Sequence, residues 1–203
     1  MNVRILFLLL SLSCKSFSQD NSIIELAFSD SSNFDITTSF LDKRPEKIYV
    51  LNKTQKWNTT RFKMDEDLSS RKVIKRLEQD EHSPYNHTYI FKDPELDDLF
   101  SQNEKNFLYE GSKAQVPRQL PDTFEHFRII RSFNEAPDGF LFSVTDPVFT
   151  SDKQYAFIDI SVCKKDETSE NMNQSYFGNT LLIYRKIKNK GWIKLHKRDH
   201  VIL

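Results

Sequence analysis

The pattern of apolar and polar positions changes about halfway along the chain. From residue 122 onward, short runs rich in β-branched and aromatic residues are separated by turn-forming clusters. Segments 127–130, 139–149, 155–163, 180–187 and 192–197 each have the length and composition of a strand. Residues 150–153 and 187–192 read as tight turns, with Gly191 supplying a positive φ in the second. The polar stretch 164–177 reads as a hairpin tip. Sequential strands joined by short turns predict an antiparallel meander of four to five strands. Segment 155–163 alternates: Ala156, Ile158, Ile160 and Val162 point one way and form the core face, while Tyr155, Phe157, Asp159, Ser161 and Cys163 point the other.

The first half has helical rather than strand-like spacing. Residues 21–28 predict a short helix, followed by a Ser/Asp/Asn/Thr-rich loop to Thr38. Segments 47–51 and 88–91 predict short strands, and 68–79 predicts an amphipathic helix behind the acidic run Asp65-Glu66-Asp67. Asp93-Pro94 is an N-cap with proline at the first helical position. Ser101 and Glu104 form a capping box in which each side chain satisfies an orphan backbone N–H. The helix they open is expected to end at Gly111 and to bury Phe107 and Leu108. The chain therefore divides into a helix-rich part, 19–121, and a β-meander, 122–203, within a single α+β domain.

Residues 1–18 read as a secretory signal and stand apart from the fold. Arg4 supplies a positive n-region, Ile5 to Leu12 an eight-residue apolar run, and Ser16-Phe17-Ser18 the small residues of a cleavage site. Eight apolar residues are too few for a hydrocarbon core that needs about 20, so no transmembrane span is expected. The rival reading takes Cys14 as a lipidated first residue; Ser13 fits the position before it, but Ser11 stands where leucine is expected. Cleavage after Ser18 leaves 27 basic and 29 acidic residues, a net charge of −2, and one cysteine, Cys163. An exported chain with one thiol has no internal disulfide and relies on core packing.

Composition removes several functional classes. The whole chain carries 29 basic and 29 acidic residues, which argues against a dedicated nucleic-acid binder. Only four glycines are present, too few for phosphate-cradling loops, whereas 13% aromatic residues favour a packed core over disorder. No G-x-S-x-G, H-E-x-x-H, G-x-x-x-x-G-K or C-x-x-C motif occurs. No cofactor is implied. His196 and His200 are four apart, but a strand end suits solvated histidines better than a metal site.

The candidate ligand-binding residues are Tyr155, Asp159, Cys163 and Trp192. Asp159 stands mid-strand between aromatics, where Asp is depleted, and reads either as a carboxylate facing a ligand groove or as an outward one paired across the sheet with a Lys or Arg, Arg185 being one candidate. Cys163 reads as a buried thiol before it reads as a nucleophile. Seven Lys/Arg against one acid, Asp199, between Ile183 and Leu203 make a basic face that protects a sheet edge.

Asp146-Pro147-Val148-Phe149-Thr150-Ser151-Asp152-Lys153-Gln154-Tyr155-Ala156 resembles a "P-[IV]-F-x-x-D-x-x-x-A" strand-turn-strand segment of a family of uncharacterised secreted or lipid-anchored Bacteroidota proteins. A later strand through Tyr184, the Lys190-Gly191-Trp192 neighbourhood and the helix start from Phe100 to Phe107 resemble the same family. The second cysteine and the glycines that often follow the first are absent after Cys163. The resemblance covers about half the chain and implies fold and address, with no activity to carry over.

These readings converge on an exported, non-catalytic binding or envelope-associated accessory module, with a protein or glycan partner at the cell envelope and no nucleic acid. The competing class is a secreted hydrolase with dispersed catalytic residues. The two separate on one observation: a hydrolase gathers perturbed ionisable groups, Asp159 with a His or Glu, in a pocket, whereas a binding module exposes an apolar patch.

Overall fold

A computed structural model describes residues 21–37, 47–62, 89–165 and 176–201. The expected signal at 1–18 with Cys14, the helix at 68–79 and most of the tip at 164–177 lie outside the described residues. The architecture is α+β, with a mostly antiparallel seven-stranded sheet rather than four or five strands. Its strands are β1 (Tyr49–Leu51), β2 (Arg128–Ile130), β3 (Gly139–Val144), β4 (Val148–Phe149), β5 (Tyr155–Lys165), β6 (Tyr176–Ile187) and β7 (Gly191–Val201). The spatial order is β2-β1-β3-β5-β6-β7, with β4 pairing β5 off that path.

Two departures from a simple meander have local causes. β1 inserts between β2 and β3 and runs parallel to both, with Tyr49 opposite Arg128 and Leu141. The expected strand 139–149 breaks in two at Asp146-Pro147. Pro147 has no N–H to donate to a ladder. Asp146 turns its carboxylate away to accept Arg118 Nε at 2.7 Å and Thr54 Oγ1 at 3.2 Å. β3 and β4 consequently pair with different stretches of β5, from Ile160 onward and at Ala156–Phe157 respectively.

The turns follow their residues. Between β4 and β5, the Asp152 carboxylate accepts from Thr150 Oγ1 at 2.7 Å and from Gln154 N–H at 2.9 Å. Between β6 and β7, Asn189 and Gly191 both take positive φ, 68° and 74°, a conformation Asn and Gly tolerate best.

Helices cover both sides of the sheet. α1 (21–29) and the 3₁₀ turn Ser31–Phe34 place Ile23, Ile24, Phe28 and Phe34 against Phe142, Ile158, Ile160, Leu182 and Tyr184. On the opposite face, α2 (Pro94–Leu99), α3 (Gln102–Ala114) and the 3₁₀ turn Ile90–Lys92 bring Leu96, Leu108, Ile90 and Phe91 against Phe157, Leu181 and Ile183. The reading of one core face on β5 is thus corrected: Phe157, on the side opposite Ile158, is fully buried.

The helix caps hold in part. Asp93 accepts from Glu95 N–H and Ser101 from Glu104 N–H. The Glu104 carboxylate, however, takes Ser151 N–H at 2.6 Å and the Ser151 hydroxyl at 2.7 Å, tying α3 to the β4–β5 turn. α3 continues through Gly111 to Ala114, with Leu108 buried and Phe107 half exposed. The expected strand at 88–91 is replaced by the 3₁₀ turn. Ile90 and Phe91 are adjacent yet join one cluster, which successive strand residues, pointing to opposite faces, would not do.

Candidate functional site

Alternation along β5 points Asp159 to the α2–α3 side of the sheet, into a polar gap in an otherwise apolar face. It is buried, and its Oδ1 accepts from Arg61 Nη1 at 2.7 Å and from Asn179 Nδ2 at 2.8 Å. Arg61, 5% exposed, comes from the 3₁₀ turn Thr59–Arg61. Neighbouring aromatics hold that turn. Trp57 and Phe62 pack edge to face at 5.0 Å, Phe62 meets Phe157 at 5.6 Å, and Trp57 Nε1 donates to the Asp146 carbonyl at 2.7 Å. The cation paired with Asp159 is an arginine, as expected, but it is Arg61 on a 3₁₀ turn rather than the candidate Arg185, which lies at the far end of the strand pair opposite Tyr155, and the pair is buried rather than outward.

The gap extends toward the β5–β6 connection. Tyr176 donates its hydroxyl to Asn179 Oδ1 at 3.1 Å. Burial first, then the negative charge of Asp159, pushes that hydroxyl up to about 12. Arg198 on β7 donates to the Tyr89 carbonyl at 2.8 Å, and burial followed by the positive charge of Arg61 lowers its pKa. Ser143 pairs across the strands with Ser161, and its buried hydroxyl has no hydrogen-bond partner among the described residues.

The four residues singled out from the sequence do not meet at one point. Tyr155 packs edge-on to Phe100 at 4.9 Å and lies under Arg185 at 5.7 Å. Trp192 is on the opposite face of the sheet, 5.9 Å from Phe149 and under Lys186 at 5.7 Å. Cys163 is buried with Leu141 and Ala136, and burial pushes its thiol up to about 11, away from nucleophilic character. Only Cys163 and Asp159 approach a common neighbour, Tyr176. Arg61, Asn179, Tyr176 and Arg198, which surround Asp159, are not among those four residues. Asn179, a polar residue directly before the apolar run 180–187, carries the one local signal.

Chemically, this arrangement is a satisfied buried ion pair. Asp159 Oδ1 is thus committed to a guanidinium and an amide of the protein itself. The described histidines add no catalytic partner to Asp159. His196 Nε2 is buried 3.8 Å from Asp93 Oδ2, with no hydrogen-bond partner among the described residues, and burial lowers its pKa. His196 and His200 share a strand, where a separation of four residues spans about 13 Å, far beyond a shared metal. No group of three metal-ligating side chains occurs among the described residues, and no described helix is long and apolar enough to cross a membrane.

The basic face on β7 is built into the fold on the α1 side. Lys194 donates to Asp30 at 2.6 Å, Ser32 Oγ at 2.6 Å and Asn33 Oδ1 at 2.9 Å, and this contact lowers the Asp30 pKa to about 2. Lys197 donates to the Ser32 carbonyl and pairs with Asp35 and Asp199. β7 closes the sheet order, and among the described residues no strand pairs with its outer edge. Its Ile193 and Leu195 are 39% and 40% exposed. Comparison with family models, curated proteins and solved structures finds no match.

Proposed function

We propose that this chain is an exported, non-catalytic binding module of the cell envelope, and that it engages a protein partner through the outer edge of β7. One observation carries the reading: the terminal strand of the sheet leaves its outer edge without a described partner strand and exposes Ile193 and Leu195 beside it. Edge strands are places where a second chain pairs its backbone, and they are normally kept short or covered. β7 has 11 residues. The hydrolase reading loses support because Asp159 meets Arg61 and Asn179 rather than a His or Glu.

The test is cross-linking of residues 19–203 in envelope extract of the host, read by mass spectrometry, beside an Ile193→Ser/Leu195→Ser variant. A reproducible protein partner captured by the parent and reduced in the variant is the expected result. Absence of any partner, together with turnover of a chromogenic ester or glycoside that Asp159→Asn abolishes, would replace the binding reading with the hydrolase.

A further inference from the structure

Resting on that binding reading, we infer that the partner docks on β7 as an added extended strand carrying acidic side chains. The edge itself limits where such a strand fits. The β6–β7 register shifts between Ile183 and Tyr184, leaving Leu195 without a Cα partner. This bulge divides β7 into a regular stretch from Gly191 to Lys194 and another from His196 onward. Bulges bend a strand and interrupt pairing. Both exposed apolar residues, Ile193 and Leu195, belong to the first stretch and its boundary, so the added strand is assigned there.

Charge selects the occupant. Between Arg185 and Arg198 the chain carries seven cations and no acid. Lys194 and Lys197 are engaged by Asp30, Asp35 and Asp199, and Lys186 lies over Trp192. Lys188 and Lys190 are exposed on the β6–β7 turn beside Gly191 and form no salt bridge with a described residue. A second copy of this chain would bring an equally basic edge, and like charges placed opposite one another oppose pairing. Lysines along an edge repel neutral or basic strands by the cost of burying them, yet they complement an acidic one. Trp192 argues against a nucleic acid or an anionic lipid surface, since its ring is packed on Phe149 and covered by Lys186 instead of projecting as a stacking platform or interfacial anchor.

Fluorescence anisotropy with three labelled peptides of about ten residues tests this directly. The probes are an alternating Val/Glu strand, an alternating Val/Lys strand, and the Val/Glu strand interrupted by a central proline. The expected result is that the Val/Glu peptide binds at least about tenfold more tightly than the other two and weakens as salt is raised. Lys188→Glu/Lys190→Glu, two exposed turn positions, should reverse the preference toward Val/Lys. Equal binding of the proline-interrupted or Val/Lys peptide overturns the inference. So does no binding of any peptide, or tighter binding of phosphatidylglycerol vesicles or a single-stranded oligonucleotide. If the cross-linked partner persists through such a failure, the binding reading stands and only the strand-docking mode falls.

Discussion

At the scale of single residues, Asp159 and Arg61 form a buried ion pair on the α2–α3 side of the sheet. They meet across 98 positions of chain, and their side chains are 12% and 5% exposed. Removing one partner of such a pair leaves the other charge buried without compensation, a cost of about 3–5 kcal/mol, whereas replacing both by apolar groups of similar volume is near neutral. Arg61→Met and Asp159→Leu should each lower the urea midpoint sharply, and the double substitution should recover most of the loss. The double-mutant cycle measures the coupling. Single variants within about 1 kcal/mol of the parent would show that water or another group already screens the pair. The sequence made Asp159 visible as an oddity, because Asp is depleted in strands. Nothing local linked it to Arg61, because only the aromatic packing of Trp57, Phe62 and Phe157 brings that turn onto the sheet.

At the scale of elements, what could be read depended on how local the cause was. The Asp93 cap, the Ser101 half of the capping box, the turn at Gly191 and the long strands β5 to β7 follow from residues within a few positions of each other and form, although β6 and β7 run beyond the expected 180–187 and 192–197 and Glu104 caps Ser151 instead. The parallel placement of β1 between β2 and β3 does not, because three-residue strands carry no signal of which distant strand they join. Gly111 shows the same limit inside a helix. It reads as a helix end, yet it takes no positive φ and α3 runs on past it. A Cβ added there would lie 3.5 Å from Val148 Cγ1, an ordinary van der Waals contact. With room for a methyl group and helical backbone already present, Gly111→Ala should raise stability by about 0.5–1 kcal/mol through higher helix propensity and a less flexible unfolded chain. A thermal melt of the variant checks this. A lower melting temperature would mean that the approach of α3 to β4 tolerates no added atom.

At the scale of the whole molecule, the decisive feature is that both faces of the sheet are covered. Alternation identifies which side chains share a face of β5, but it cannot tell whether the second face is covered, which is why alternation alone leaves Phe157 off the core face. Coverage of the first face comes from the segment 21–37, with Ile23, Ile24, Phe28, Phe34 and Ile36 all nearly or fully buried. Burying side chains of this size contributes about 1.5–3 kcal/mol each, so the five together supply on the order of 10 kcal/mol. That is as large as the net stability of a typical domain, about 5–15 kcal/mol. The same segment supplies Asp30, Ser32 and Asn33, the acceptors for the Lys194 ammonium. A chain beginning at residue 38 should therefore lose more than a flanking helix. It would expose Phe142, Ile158, Ile160, Leu182 and Tyr184 and leave Lys194 without these partners. The expected outcome is strong binding of a hydrophobic dye and loss of a cooperative thermal transition, measured against the chain beginning at residue 19. A sharp transition within a few degrees of the longer chain would show that the sheet and the α2–α3 layer form a self-sufficient core. The 21–37 segment would then be an accessory cover.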